Sequence, residues 1–178
     1  MENNVEDRLD TIFKNVNDWL KFAEQKNAAL IVLNTGIIWG VSRILSKELF
    51  ESLWVFAVGC IGYFCTIISI IICIISFMPV LTGNWFKIGK KKPEDNLLFF
   101  CDIAKYSQKN YLELVAVKLN LENYKFSNIE KDYASQIVNN SEITLEKYKR
   151  FKLSSTFTIG GIVFFILSIT IGLIRNSL

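Results

Sequence analysis

Two long apolar runs without a charge constrain this chain more than any other feature of its sequence. Residues 53–78 are 26 consecutive positions with no Asp, Glu, Lys or Arg, and residues 153–174 are 22 more. About 20 apolar residues in a helix are enough to cross the hydrocarbon core of a bilayer. Both runs are therefore predicted to be transmembrane helices.

A third run, residues 28–45, is predicted to form a further span, although polar side chains interrupt it. Asn34, Thr35 and Ser42 break the apolar pattern, and Arg43 is the one charged residue in the run. Its length still approaches the requirement for crossing a bilayer. The sequence therefore predicts a membrane protein with three spans.

The distribution of Lys and Arg predicts how these spans are oriented. Four basic residues lie in residues 1–27 and thirteen in residues 79–152, against one each in the connection 46–52 and the tail 175–178. An excess of Lys and Arg marks the cytoplasmic side of a membrane protein. We expect residues 1–27 and 79–152 to face the cytoplasm, and the connection and tail to face outward.

The segments before the first and last predicted spans have sequence patterns typical of helices. An apolar residue recurs every three or four positions at the start of the chain, at Val5, Leu9, Ile12, Val16, Trp19 and Ala23. No Pro or Gly separates this seam from the first span, so one helix from about Val5 to Leu45 is predicted. Ser127 and Glu130 form a capping box that predicts the start of a last helix running unbroken into residues 153–174.

Two short helices are predicted between Asn96 and Leu121, with the sequences LLFFCDIAKY and YLELVAVKLNL and with Ser107 as the N-cap of the second. The predicted fold class is therefore all-α. Three transmembrane helices are expected, and the first and last of them continue into a small cytoplasmic helical bundle.

Several classes of function are disfavoured by residue types that are missing. The chain has no His, which removes imidazole from catalysis and from metal binding. No Cys pair has metal-ligand spacing, and no Gly-rich phosphate loop is present. The net charge of +3 is too small to argue for nucleic acid. We expect no catalytic residue, no metal site and no prosthetic group.

Three stretches of the sequence are similar to one known family. They are WLKFAEQKNAALIVLNTG (19–36), NLLFFCDIAKYSQKNYLELV (96–115) and KDYASQIVNNSEITLEKYKRFK (131–152). In their order, spacing and position relative to the spans they resemble the Pycsar transmembrane effectors, which are bacterial antiphage proteins controlled by cyclic nucleotides. The resemblance covers nearly the whole chain.

The resemblance implies a function that composition and periodicity do not show. A partner cyclase triggered by phage would make cyclic CMP or cyclic UMP, and the effector would sense it through its cytoplasmic helices. The protein would then associate as a homo-oligomer and impair the inner membrane, so that the infected cell stops growing. The alternative is a non-catalytic membrane scaffold whose cytoplasmic helices dock another protein.

A nucleotide site needs an aromatic face for the base, amides for its edge and a cation for its phosphate. Residues of these types in the cytoplasmic segments form the candidate set: Phe99, Phe100, Asp102, Tyr106, Gln136, Asn139, Asn140 and Lys147. The alternative interpretation makes the two Phe side chains part of the core and the Asn residues part of a solvated helix face.

Two further groups of residues are candidates for membrane function. Asn34, Thr35 and Arg43 would line a pore after assembly, or else pack against other helices and, for Arg43, reach water at the outer end. Glu24, Gln25 and Lys26 (the segment 24–26) would couple ligand binding to the spans, or else form a polar collar at the membrane surface. We expect coupling because the first and last helices each pass from the cytoplasm into a span.

Overall fold

The computed structural model describes residues 5–44, 53–78, 89–121 and 123–176. These residues form five helices and no strand: α1 (Val5–Ile44), α2 (Leu53–Phe77), α3 (Phe100–Ile103), α4 (Gln108–Lys118) and α5 (Asn128–Asn176). The all-α prediction is confirmed. Helices α1, α2 and α5 are long and apolar enough to cross a membrane. The expected outer connection 46–52 lies outside the described residues.

Side-chain caps set the starts of α4 and α5, as the sequence predicts. The Ser127 backbone N–H donates to the Glu130 carboxylate at 2.7 Å, and the Glu130 N–H donates back to Ser127 Oγ at 3.2 Å. Ser107 Oγ accepts from the Asn110 N–H at 3.4 Å. Because these caps satisfy backbone donors that a helix start leaves unpaired, the predicted capping box and N-cap are both confirmed.

Helix α3 is much shorter than the ten-residue helix expected from LLFFCDIAKY. The Asn96 side chain accepts a hydrogen bond from the Leu98 N–H at 3.0 Å, and Asp102 Oδ2 accepts one from the Asn96 N–H at 3.0 Å. Side chains of this kind compete with helical hydrogen bonds for the backbone. They hold residues 96–99 in turns, and the helix therefore begins only at Phe100.

The chain divides into two compact units. Unit 1 consists of Met1–Ala23 and Pro79–Lys149, and unit 2 consists of Glu24–Met78 and Arg150–Leu178. Helices α1 and α5 each contribute residues to both units, because α1 passes Ala23 and α5 passes Lys149 without a break. Two continuous helices therefore connect the units.

The core of unit 1 is built on the apolar seam of α1. Val5, Leu9, Ile12 and Val16 are buried there, and so are side chains from the segment 97–106, from α4 and from α5: Leu97, Ile103, Tyr106, Tyr111, Leu112, Val115, Ala134, Ile137 and Val138. Further along the seam, Trp19 is 41% exposed and Ala23 is fully buried. The seam's period of three to four residues thus gives α1 one face for the other helical segments to cover.

A closed triangle of polar side chains joins the three long helices inside unit 2. The Asn34 amide donates to Ser69 Oγ at 2.9 Å, and the Thr158 hydroxyl donates to Asn34 Oδ1 at 3.0 Å. Ser69 Oγ lies 2.8 Å from Thr158 Oγ1. Either hydroxyl can be the donor in this third contact, and the Thr158 hydroxyl also lies 3.2 Å from the Ser154 carbonyl oxygen of its own helix. All three residues are at most 3% exposed.

Two glycines, Gly62 on α2 and Gly161 on α5, bring these helices into close contact. They lie within seven positions of the triangle residues Ser69 and Thr158 on the same helices. A methyl group added at Gly161 would lie 2.7 Å from Thr66 Cγ2 and 3.1 Å from the Gly62 carbonyl oxygen. Beside them, the rings of Tyr63 and Phe165 meet edge to face at 4.9 Å. Small residues of this kind allow helix backbones to approach within a membrane.

The neighbouring glycines of α5 provide a matched test of this contact. Gly161→Ala should lower the free energy of unfolding by about 1–3 kcal/mol, because the new methyl group overpacks the α2 interface. Gly160→Ala has nothing within 4 Å of the added carbon and should leave stability unchanged or slightly raised. Unfolding in mixed detergent micelles measures both, and equal effects would contradict the close approach.

Asn34 and Thr35 provide a second pair, for the polar triangle. Asn34→Ala removes two of the three hydrogen bonds and should destabilise the protein by about 1–2 kcal/mol, in the upper range for such bonds between membrane helices. Thr35→Ala is the control, because the exposed Thr35 hydroxyl donates to the Ile31 carbonyl oxygen of its own helix. If the two variants unfold at the same detergent composition, the hydrogen bonds of the triangle do not stabilise the protein substantially.

Candidate functional site

An ion network fixes the segment that leads into α3. The Lys105 ammonium donates to Asp95 Oδ1 at 2.6 Å and also to Asp102 Oδ1. Asp95 Oδ2 accepts from the Tyr106 hydroxyl at 2.8 Å and from the Lys92 N–H at 2.9 Å. Hydrogen bonding to Lys105 holds the pKa of the Asp95 carboxyl well below its ordinary value, and the two carboxylates raise the pKa of Lys105. The network therefore stays charged around neutral pH.

Two members of the candidate set, Asp102 and Tyr106, belong to this network. Burial and the bond to Asp95 raise the pKa of the Tyr106 hydroxyl. Asp102 is shared between Lys105 and the Asn96 backbone. Both polar groups thus have a structural role in holding residues 92–106.

Phe100 lies inside a cluster of aromatic rings. It is 3% exposed and stacks on Tyr148, with ring centroids 5.2 Å apart and an interplanar angle of 24°. The rings of Phe99 and Trp19 approach it to 4.8 Å and 5.7 Å. Phe100 is therefore a core residue, whereas Phe99 is 39% exposed.

The four candidates on α5 have different surroundings. Gln136 and Asn139 are exposed, whereas Lys147 is buried. The Asn140 amide donates to Asn17 Oδ1 of α1 at 2.7 Å. The structure therefore uses Asn140 to join α5 to α1 within unit 1 and leaves Gln136 and Asn139 on the surface.

The three candidates for pore lining, Asn34, Thr35 and Arg43, differ in their exposure. Asn34 is buried in the polar triangle, whereas Thr35 is exposed. Arg43 is exposed too, and its guanidinium lies 5.6 Å from the centre of the Trp39 ring. Unit 2 therefore encloses the first of these three residues and presents the other two on its surface.

The segment proposed for coupling begins unit 2. Glu24 is half-buried and Gln25 is exposed. The Lys26 ammonium lies 5.5 Å from the ring centre of Phe151 on α5. This cation–π contact connects α1 to α5 at the point where unit 2 starts.

Unit 1 contains a groove of about 570 Å³ that the candidate set does not include. It lies between α1, the segment 96–98 and the last turn of α4. Its floor is apolar, and charged and amide side chains surround it: Asp7, Arg8, Asn15, Asn96 and Lys118. The polar positions on α1 could have been found as a stripe beside the apolar seam. The approach of Lys118 depends on tertiary structure.

The described part of the chain holds no cluster of three or more His, Cys, Asp or Glu side chains placed to bind a metal ion. The groove instead combines an apolar surface with amide and charged groups at its edge. Such a surface can hold a small organic ion through apolar contact and hydrogen bonds.

Comparison with known proteins identifies the family. The model of the Pycsar effector protein domain matches residues 8–174. No curated protein and no solved structure matches the chain significantly. The match runs from the second turn of α1 through the end of the apolar part of α5, so it includes both units. With three helices long and apolar enough to span a membrane, this chain belongs to the Pycsar effector family of antiphage defence proteins.

Proposed function

We propose that this protein is a non-catalytic effector that senses a cyclic mononucleotide with unit 1 and impairs the bacterial inner membrane with unit 2. The ligand is cyclic CMP or cyclic UMP, supplied by a partner cyclase during phage infection. Loss of membrane integrity stops the infected cell before phage are released. Family membership supports the defence role, and the three apolar helices support action in a membrane.

The proposed orientation follows the distribution of positive charge. Seventeen Lys and Arg residues lie in the two segments 1–27 and 79–152, against two in the connection 46–52 and the tail 175–178. By the positive-inside rule, this excess supports a cytoplasmic position for the N-terminus and unit 1. The nucleotide is made in that compartment, so this orientation gives the sensor access to its ligand.

The single observation that carries the proposal is that two helices belong to both units. Helix α1 spans 40 residues and α5 spans 49, and each passes from unit 1 into unit 2 without interruption. A ligand shifts an equilibrium between two packings only by its difference in affinity for them. A hundredfold preference supplies about 2.7 kcal/mol, which is comparable to the cost of breaking the polar triangle.

We infer that the active state is an assembly of several copies. Helix α1 supports this, because added methyl groups at Gly36 and Gly40 would meet nothing within 4 Å. Small residues spaced by four positions let membrane helices pack closely. In such an assembly Thr35 and Arg43, which are exposed on one copy, acquire partners on another.

A pair of insertions between Lys149 and Arg150 tests the role of the shared helix. This site is the boundary of the units on α5, and Arg150 stays with unit 2, where its guanidinium donates to the Ile75 carbonyl oxygen at 2.8 Å. A seven-residue Gly/Ser insertion should abolish nucleotide-dependent depolarisation of cells while the purified protein still binds the nucleotide. A seven-residue helical insertion adds about two turns and should retain at least part of the response.

The readouts are nucleotide affinity of the purified protein and membrane potential in cells that also make the cyclase product. Full depolarisation by the Gly/Ser variant would contradict transmission through α5. Wild-type protein that neither binds the nucleotide nor depolarises the membrane would instead favour the scaffold function.

A further inference from the structure

We propose that the groove of unit 1 is the cyclic-nucleotide site, and that its charges select a ring-closed phosphate with one negative charge over an open monophosphate. Arg8 and Lys118 would bind the phosphate, and Asp7 would repel a second negative charge. This inference rests on the proposed function and assigns the ligand to residues outside the candidate set.

The size and floor of the groove fit a small, partly flat ligand. Its volume of about 570 Å³ lies within the range of about 300–1,000 Å³ that is usual for small-molecule sites. Leu98 lines it and is 61% exposed, and the buried side chains of Leu9, Leu97 and Val115 support this surface from the core. A nucleobase and the carbons of a ribose can cover such a surface without leaving polar groups unpaired.

The charges of the groove add up to one positive charge. Arg8 and Lys118 are cations, and Asp7 is an anion. A phosphodiester carries one negative charge, whereas a phosphate monoester carries nearly two at neutral pH. A cyclic mononucleotide therefore neutralises the groove, and the open monophosphate brings an excess negative charge next to Asp7.

Contacts already present in unit 1 hold Lys118 in position. Its ammonium donates to the Asp95 carbonyl oxygen at 2.9 Å, and the Asp95 side chain is fixed by Lys105 and Tyr106. An ammonium has three hydrogens to donate, so this contact leaves capacity for a phosphate oxygen. On the other wall, the planar guanidinium of Arg8 can bind two phosphate oxygens together.

The amides at the edge of the groove suit the base. Asn96 Oδ1 already accepts from the Leu98 N–H at 3.0 Å, so the NH₂ group is the part of this amide that can donate to a ligand. A carbonyl oxygen on a pyrimidine ring is a matching acceptor. Asn15 lies seven residues after Arg8 on α1, about two turns further along, and supplies a second amide.

A ligand in this groove would connect α1 to the segment 96–98 and to α4. Helix α1 contributes Asp7, Arg8, Leu9 and Asn15 to the lining, and the same helix continues into unit 2. Binding would therefore favour one packing of α1 over others. The groove thus meets the requirement that the ligand interact differently with the two states.

The test compares affinities of the full chain in nanodiscs for cyclic CMP, cyclic UMP and the two corresponding 5′-monophosphates. Arg8→Gln and Lys118→Gln should each weaken binding of the preferred cyclic nucleotide about tenfold or more, because each loses a charge-assisted hydrogen bond. Asp7→Asn should strengthen binding of the open monophosphate about fivefold relative to the cyclic form. This gain cannot result from a variant that fails to fold.

Lys109→Gln on α4 and Asp18→Asn on α1 are matched controls, since both side chains are highly exposed and lie outside the groove lining. They should bind like the wild type. If Arg8→Gln and Lys118→Gln both bind the cyclic nucleotide with wild-type affinity, the proposed location of the site is wrong, and the proposed function is unaffected. An unchanged preference in Asp7→Asn would overturn the charge selection. Failure of the wild type to bind either cyclic nucleotide would overturn both the site and the proposed function.

Discussion

Inside unit 2, the buried side chains of Asn34, Ser69 and Thr158 bond to one another, because a polar group without a partner is costly in an apolar environment. Their three hydrogen bonds use one side chain from each long helix, and they fix the rotation of all three helices together. The close contact of α2 and α5 at Gly62 and Gly161 requires the same rotation. A change in the packing of α1 must therefore break this triangle or carry it along.

The fold could be predicted from the sequence wherever a local rule decides it. Uncharged runs long enough to cross a bilayer identify the apolar parts of α2 and α5, and the capping box of Ser127 and Glu130 identifies the start of α5. The start of α3 is harder to predict. The side chains of Asn96 and Asp102 accept hydrogen bonds from backbone N–H groups, which holds this segment in turns and shortens the helix. The groove was missed for a different reason. Arg8 and Lys118 are 110 positions apart in the chain, and only tertiary packing brings them to one cavity.

The same packing gives several residues of the candidate set contacts within unit 1. Asp102 accepts a hydrogen bond from Lys105, and Tyr106 donates one to Asp95. Both bonds stabilise residues 92–106, and Asn140 joins α5 to α1. A nucleotide-binding chemistry can therefore be present in a sequence while folding uses its groups for structure. The groove has cations, an anion and amides around an apolar floor. It is also lined by α1, which continues into unit 2.

On the proposed function, a ligand in unit 1 changes the packing of the helices in unit 2. The most direct measurement is the distance between spin labels on Leu33 of α1 and Ile159 of α5, which are exposed residues of unit 2. Labelling requires replacement of the four native cysteines, and pulsed electron paramagnetic resonance in nanodiscs gives the distance distribution. We expect a shifted distance distribution when cyclic CMP or cyclic UMP is bound. An unchanged distribution at saturating bound nucleotide would contradict this expectation.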